Sequence, residues 1–103
     1  MQIETISEAT SQIYIALTGR FDAFETEGFR TTIDDVLGQG NNNLHLDLAS
    51  VHFIDSSGLA ELVRAMKHCR EAGGDLVLGR PSDAVRVILE LTGLDAAFEI
   101  TAE

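Results

Sequence analysis

Ile13, Ile15 and Leu17 fall on one side of an extended chain with Tyr14 and Ala16 between them. This period-two pattern marks a half-buried strand, which Thr18-Gly19 brings to a stop. Leu44, Leu46 and Leu48 repeat it around His45 and Asp47, and Leu76-Val77-Leu78 is a short apolar run between Gly74 and Gly79. Ile3 and Ile6 indicate a short leading strand, and Phe98 and Ile100 a closing one. Between these stretches the spacing becomes helical. Phe29, Ile33, Val36 and Leu37 share one face before Gly38 and Gly40. Leu59, Leu62, Val63, Met66 and Cys69 form a second stripe, whose far side carries Glu61, Arg64, Lys67, His68 and Glu71 and which Gly73-Gly74 ends. Val85, Ile88, Leu89 and Thr92 form a third, opened by Pro81-Ser82 and closed by Gly93. Each stripe reads as a face turned toward a core.

The predicted order is β-β-α-β-α-β-α-β. Strands alternating with helices imply an α/β fold with a mixed, largely parallel sheet of four to five strands and right-handed crossovers. No repeat or long linker interrupts the chain, so one domain is expected over residues 1–103. Such a sheet gathers its functional loops at the C-terminal ends of its strands. Two loops stand out there: Gly19-Arg20-Phe21-Asp22, and the segment from His52 to Leu59. If their strands are parallel, Asp22 lies in the neighbourhood of Asp55 and Ser56.

In the second loop Phe53 and Ile54 are expected to anchor the backbone to the core. Asp55-Ser56-Ser57-Gly58 then precedes the second helix. Asp and Ser are preferred N-cap residues because their oxygens accept from the unpaired amides of a first helical turn. A well-capped helix is one complete account of this tetrad. Two features point further. Three consecutive capping-type residues exceed what one helix end needs. A glycine in the first turn destabilises the helix by about 0.5–1 kcal/mol relative to alanine, and Gly58 would open the backbone to another chain or to a phosphate. A serine hydroxyl at a helix start is a natural phosphate acceptor, and phosphorylation adds about −1.5 to −2 charges.

The chain has 103 residues, 45% of them hydrophobic and 23% charged, an ordinary globular composition. Its formal net charge is −10, and only seven scattered Lys and Arg residues are available to neutralise phosphates. This argues against DNA, RNA and anionic membrane surfaces as partners. No apolar run approaches a membrane span, and the N-terminus shows no signal-peptide pattern, so a cytoplasmic location is expected. Cys69, the one cysteine, offers no metal pair and reads as a small core hydrophobe. The three histidines show no ligand spacing, so no metal is expected. A hydrolase using Ser56 or Ser57 would need an activating base and an oxyanion hole, and the chain has no G-x-S-x-G elbow. A phosphoacceptor-aspartate receiver is disfavoured because Asp34-Asp35 fall inside a helical pattern. Glu25 and Glu27 read most simply as a solvated loop.

At these same residues the sequence resembles the STAS domain family, specifically the bacterial anti-sigma factor antagonists. Ile54-Asp55-Ser56-Ser57-Gly58-Leu59-Ala60 is similar to the family signature Asp-Ser-Ser/Thr-Gly-Leu-Gly after an apolar residue. Gly19-Arg20-Phe21-Asp22 is similar to its Gly-x-Leu-Asp loop, Ala72-Gly73-Gly74 before Leu76-Val77-Leu78 to its Gly-Gly-strand pattern, and Leu91-Thr92-Gly93-Leu94 to its last helix exit. Ala60 departs from the usual glycine and Phe21 from the usual leucine, the latter read as a core accommodation. The resemblance implies a STAS-like single domain with no catalysis and no cofactor. It implies Ser56 as phosphorylation site and a partner surface of Asp22, Asp55, Ser56, Ser57, Gly58 and the following helix. The implied partners are an anti-sigma factor serine kinase, bound by the unphosphorylated form, and a PP2C-type phosphatase that removes the phosphate. The alternative within the same fold is an adaptor of another assembly, such as a lipid-transport complex or a stress-sensing particle.

Overall fold

The apolar stripes and alternating runs condense into one sheet with helices packed against it. The computed structural model describes residues 1–8 and 12–102, and the Ile6 side chain lies outside what is described. The strands are β1 (Gln2–Glu8), β2 (Ile13–Phe21), β3 (Asn43–Ile54), β4 (Asp75–Gly79) and β5 (Glu99–Thr101). The helices are α1 (Thr26–Gly38), α2 (Ser56–Glu71) and α3 (Asp83–Thr92), with a 3-10 turn at Leu94–Ala96. The spatial order is β1-β2-β3-β4-β5, with β1 antiparallel to β2 and every later neighbour parallel. A sheet that steps one way through right-handed crossovers places all its crossover helices on the same face. Burial agrees. Ile13, Ile15, Leu17, Leu44, Leu46, Leu48, Leu76 and Leu78 are buried in one cluster with Phe29, Ile33, Leu62, Cys69, Val85 and Leu89 from the helices. On the other face Tyr14, Ala16, His45, Asp47 and Val77 are only partly covered, and Tyr14 stacks on His45 with ring centroids 4.7 Å apart.

Two strands run further than alternation predicts. β2 continues past Thr18-Gly19 to Phe21, because Gly19 adopts φ +109° and the register with β3 slips on either side of it. β3 continues past Leu48 to Ile54. Its alternation changes phase across exposed Ala49 and Ser50, after which Val51 and Ile54 are the buried positions. Gly19–Phe21 and His52–Ile54, expected as loops, are therefore strand ends. The third helix starts and stops as expected: the Ser82 side chain accepts from the Val85 amide, and Gly93 closes it in the left-handed conformation.

Candidate functional site

Because β2 and β3 are parallel, their C-terminal ends finish side by side. Phe21 is in register with Ile54, and the Asp55 amide donates to the Phe21 carbonyl at 3.3 Å. The residues that follow, Asp22 after β2 and Asp55-Ser56 after β3, thus leave the same sheet edge, as the sequence led one to expect. Phe21 is fully buried against Phe29, with ring centroids 4.8 Å apart, so its aromatic ring is indeed a core accommodation. Phe53 is only half-buried and carries the Arg20 guanidinium 3.9 Å above its ring centroid.

Asp55 is the N-cap of α2. Its backbone is extended and its Oδ1 accepts from the Gly58 amide at 3.0 Å. Ser56 is the first helical residue and is exposed; Ser57 follows and is half-buried. Ser57 borders a groove of about 250 Å³ that it shares with Thr26, Arg30, Ala60 and Glu61. Asp22 is engaged within its own loop, where Oδ1 accepts from the Phe24 amide at 3.0 Å and Oδ2 lies 3.7 Å from Arg20 Nε. One capping residue therefore serves the helix, while Ser56 is exposed at the positive end of the helix dipole.

Two expectations need correction. Gly58 does not open the backbone to an outside molecule, because it is buried. A Cβ there would meet the Phe21 carbonyl oxygen at 2.5 Å and Ile54 Cγ1 at 2.9 Å, so the glycine lets α2 sit tightly on the ends of β2 and β3. Glu61 is not on the solvent side of α2. It is only 4% exposed, and both its oxygens accept from Arg30 of α1, at 2.8 and 3.0 Å. The hydrogen bond and charge of Glu61 hold the Arg30 guanidinium above its ordinary value. A second pair, Arg64 to Asp34 at 3.0 Å, ties the same two helices. Arg30 and the exposed Phe24 are the neighbours of the site that the sequence reading did not single out. Phe24 was legible as an apolar residue outside every stripe; Arg30 carried no signal.

The histidines lie elsewhere: His45 stacks on Tyr14 on the open sheet face, and His52 and His68 are exposed on β3 and α2. Asp34 and Asp35 are in α1, away from any strand end. Among the described residues no three His, Cys, Asp or Glu side chains gather as a metal site, and no helix is long and apolar enough to cross a membrane.

The STAS domain model matches residues 1–103. The chain belongs to the STAS domain family. It is 31% identical over 100 residues to the anti-sigma-B factor antagonist of Listeria monocytogenes, covering 97% of this chain and 88% of that protein. The crystal structure of a proposed anti-sigma factor antagonist from Thermotoga maritima superposes with a TM-score of 0.87 at 24% identity, over 99% of this chain and 86% of that one. The Bacillus cell fate determinant SpoIIAA in its phosphorylated form superposes with a TM-score of 0.73 at 24% identity, over 99% of this chain and 91% of that one. This STAS domain thus has relatives that are anti-sigma factor antagonists, and the STAS fold is also that of a phosphorylated protein.

Proposed function

We propose that this STAS domain is an anti-sigma factor antagonist of the cytoplasm, controlled by phosphorylation of Ser56. Unphosphorylated, it docks on an anti-sigma factor serine kinase through the edge formed by Asp22, Asp55, Ser56 and Ser57. Gly58 supports that edge from within. The observation that carries this reading is that Ser56 is exposed as the first residue of α2 while the cap of that helix is supplied by Asp55. The domain contributes the acceptor and not the catalyst. The Ser56 Oγ attacks the γ-phosphorus of ATP held by the kinase, ADP leaves, and the hydroxyl proton passes to a base on the kinase.

The phosphate turns binding off by electrostatics and desolvation. It adds about −1.5 to −2 charges beside the Asp55 carboxylate, on a chain already at −10. In a closed interface an uncompensated charge destabilises by several kcal/mol, and even ~3 kcal/mol is more than a hundredfold in affinity. No change of fold is required, and the phosphorylated form of SpoIIAA, which shares the fold, supports that economy. A PP2C-type phosphatase restores the hydroxyl and the binding-competent state. Calorimetric titration with the anti-sigma factor kinase of the same genome tests this. Wild type and Ser56→Ala bind alike, and Ser56→Asp binds at least about tenfold more weakly. Equal binding by Ser56→Asp overturns the switch, and binding to a different assembly instead of a kinase replaces it with a scaffold role.

A further inference from the structure

Among the described residues, Phe24 is the most exposed large apolar side chain, with 93% of it in solvent. The loop that carries it is well tied. The Phe24 amide donates to Asp22 Oδ1 at 3.0 Å, the Glu25 amide to the Asp22 carbonyl at 3.0 Å, and the Thr26 hydroxyl to the Ala23 carbonyl at 3.1 Å. Two of these three bonds end on Asp22. A fixed turn that presents a bare phenyl ring suits an interface anchor. Aromatic residues are enriched at interface centres, and a ring with two rotatable bonds loses little entropy on docking.

We propose that Phe24 is the apolar anchor by which this chain docks on its anti-sigma factor kinase, filling an apolar socket with a cationic rim. The inference rests on the function proposed above. Continuity places the ring in the same interface. The turn that carries it leaves β2 directly after Phe21, whose carbonyl accepts from Asp55, the residue before Ser56. Charge sets the rim of the socket. The loop and sheet edge carry Asp22, Glu27 and Asp55; of the cations beside them Arg20 lies 3.7 Å from Asp22, Arg30 is paired with Glu61 and the N-terminal amine with Glu25, on a chain of net charge −10. An anionic lipid surface and a second copy of this chain both carry the wrong sign.

Leu91 supplies the control. It is 79% exposed, but it lies in the last turn of α3. That helix starts beyond the C-terminal end of β4 and returns toward the N-terminal end of parallel β5, so Leu91 sits at the opposite edge of the sheet from Ser56.

The test is calorimetric titration of the purified kinase of the same genome with wild type, Ser56→Asp, Phe24→Ala and Leu91→Ala. Phe24→Ala weakens binding about thirtyfold, chiefly through faster dissociation, while Leu91→Ala binds as wild type. Because the ring packs on nothing, the urea midpoint of Phe24→Ala matches wild type. The chain has no tryptophan, so Phe24→Trp adds a single indole. Its emission shifts to the blue when the kinase is added, after subtraction of the wild-type complex. Phe24→Ala binding within twofold of wild type, or an indole that stays wet in the complex, overturns the anchor while Ser56→Asp still reports the switch. Failure of wild type to bind the kinase at all removes the functional reading and the anchor together.

Discussion

Two glycines in helices separate intrinsic propensity from packing. By propensity alone, alanine at either position stabilises a helix by about 0.5–1 kcal/mol. At Gly28 in α1 a Cβ would meet nothing within 4 Å, so Gly28→Ala should stabilise by about 0.5 kcal/mol. At Gly58 the same methyl would stand 2.5 Å from the Phe21 carbonyl oxygen, 2.9 Å from Ile54 Cγ1 and 3.1 Å from Phe21 Cγ. None of these is a flexible tip. Phe21 is fully buried and its carbonyl already accepts from Asp55. The start of α2 must therefore lift away from the sheet edge. Overpacking of this kind destabilises by about 1–3 kcal/mol, which outweighs the propensity gain and leaves a net loss of about 1–2 kcal/mol. In urea, with a slope of about 1–3 kcal/mol/M for a domain of this size, the Gly58→Ala midpoint should fall by about 0.5–1 M with the slope unchanged. The Gly28→Ala midpoint should rise. A Gly58→Ala variant as stable as wild type would refute the assignment of that glycine to internal packing.

Arg30 and Arg64 both tie α1 to α2, but only the Arg30 partner, Glu61, is buried. Arg30→Ala leaves that carboxylate unpaired, so its calorimetric Tm should drop further than that of Arg64→Ala, and adding Glu61→Leu to Arg30→Ala should recover part of the loss. Equal drops for the two arginines would contradict this. Burial, assisted by the charge of Asp75, pushes the Cys69 thiol up to about 11. The folded state then keeps its proton where the unfolded chain has lost it, so stability falls as pH rises between roughly 9 and 11. Across that window wild type should lose up to about 3 kcal/mol relative to Cys69→Ala, measured as paired urea titrations at each pH. Below pH 8 the difference between the two should be flat.

Much of the architecture was legible because its cause is periodic. The three helical stripes, the strand runs and the β-β-α-β-α-β-α-β order all follow from which positions must face one core, and the structure places the apolar stripe positions there, while Thr92 is exposed and donates to the Ile88 carbonyl of its own helix. What escaped was aperiodic. The ends of β2 and β3 were misread because a left-handed Gly19 and a phase change at Ala49-Ser50 break alternation without breaking the strand. The pairing of Glu61 with Arg30 depends on how two helices slide past each other, which no local pattern encodes. Gly58 was visible as an oddity, yet only the nearby Phe21 carbonyl reveals why no side chain is tolerated there. The candidate edge was legible because its residues are contiguous in sequence, and parallel pairing brought Asp22 to it.

The proposed phosphate acceptor is a single oxygen atom, Ser56 Oγ, and its modification can be read directly. The chain is incubated with its kinase and magnesium ATP, digested, and the modified residue located by tandem mass spectrometry. One phosphate on Ser56, absent from Ser56→Ala, is the predicted result. A phosphate solely on Ser57, or on neither serine, would contradict it.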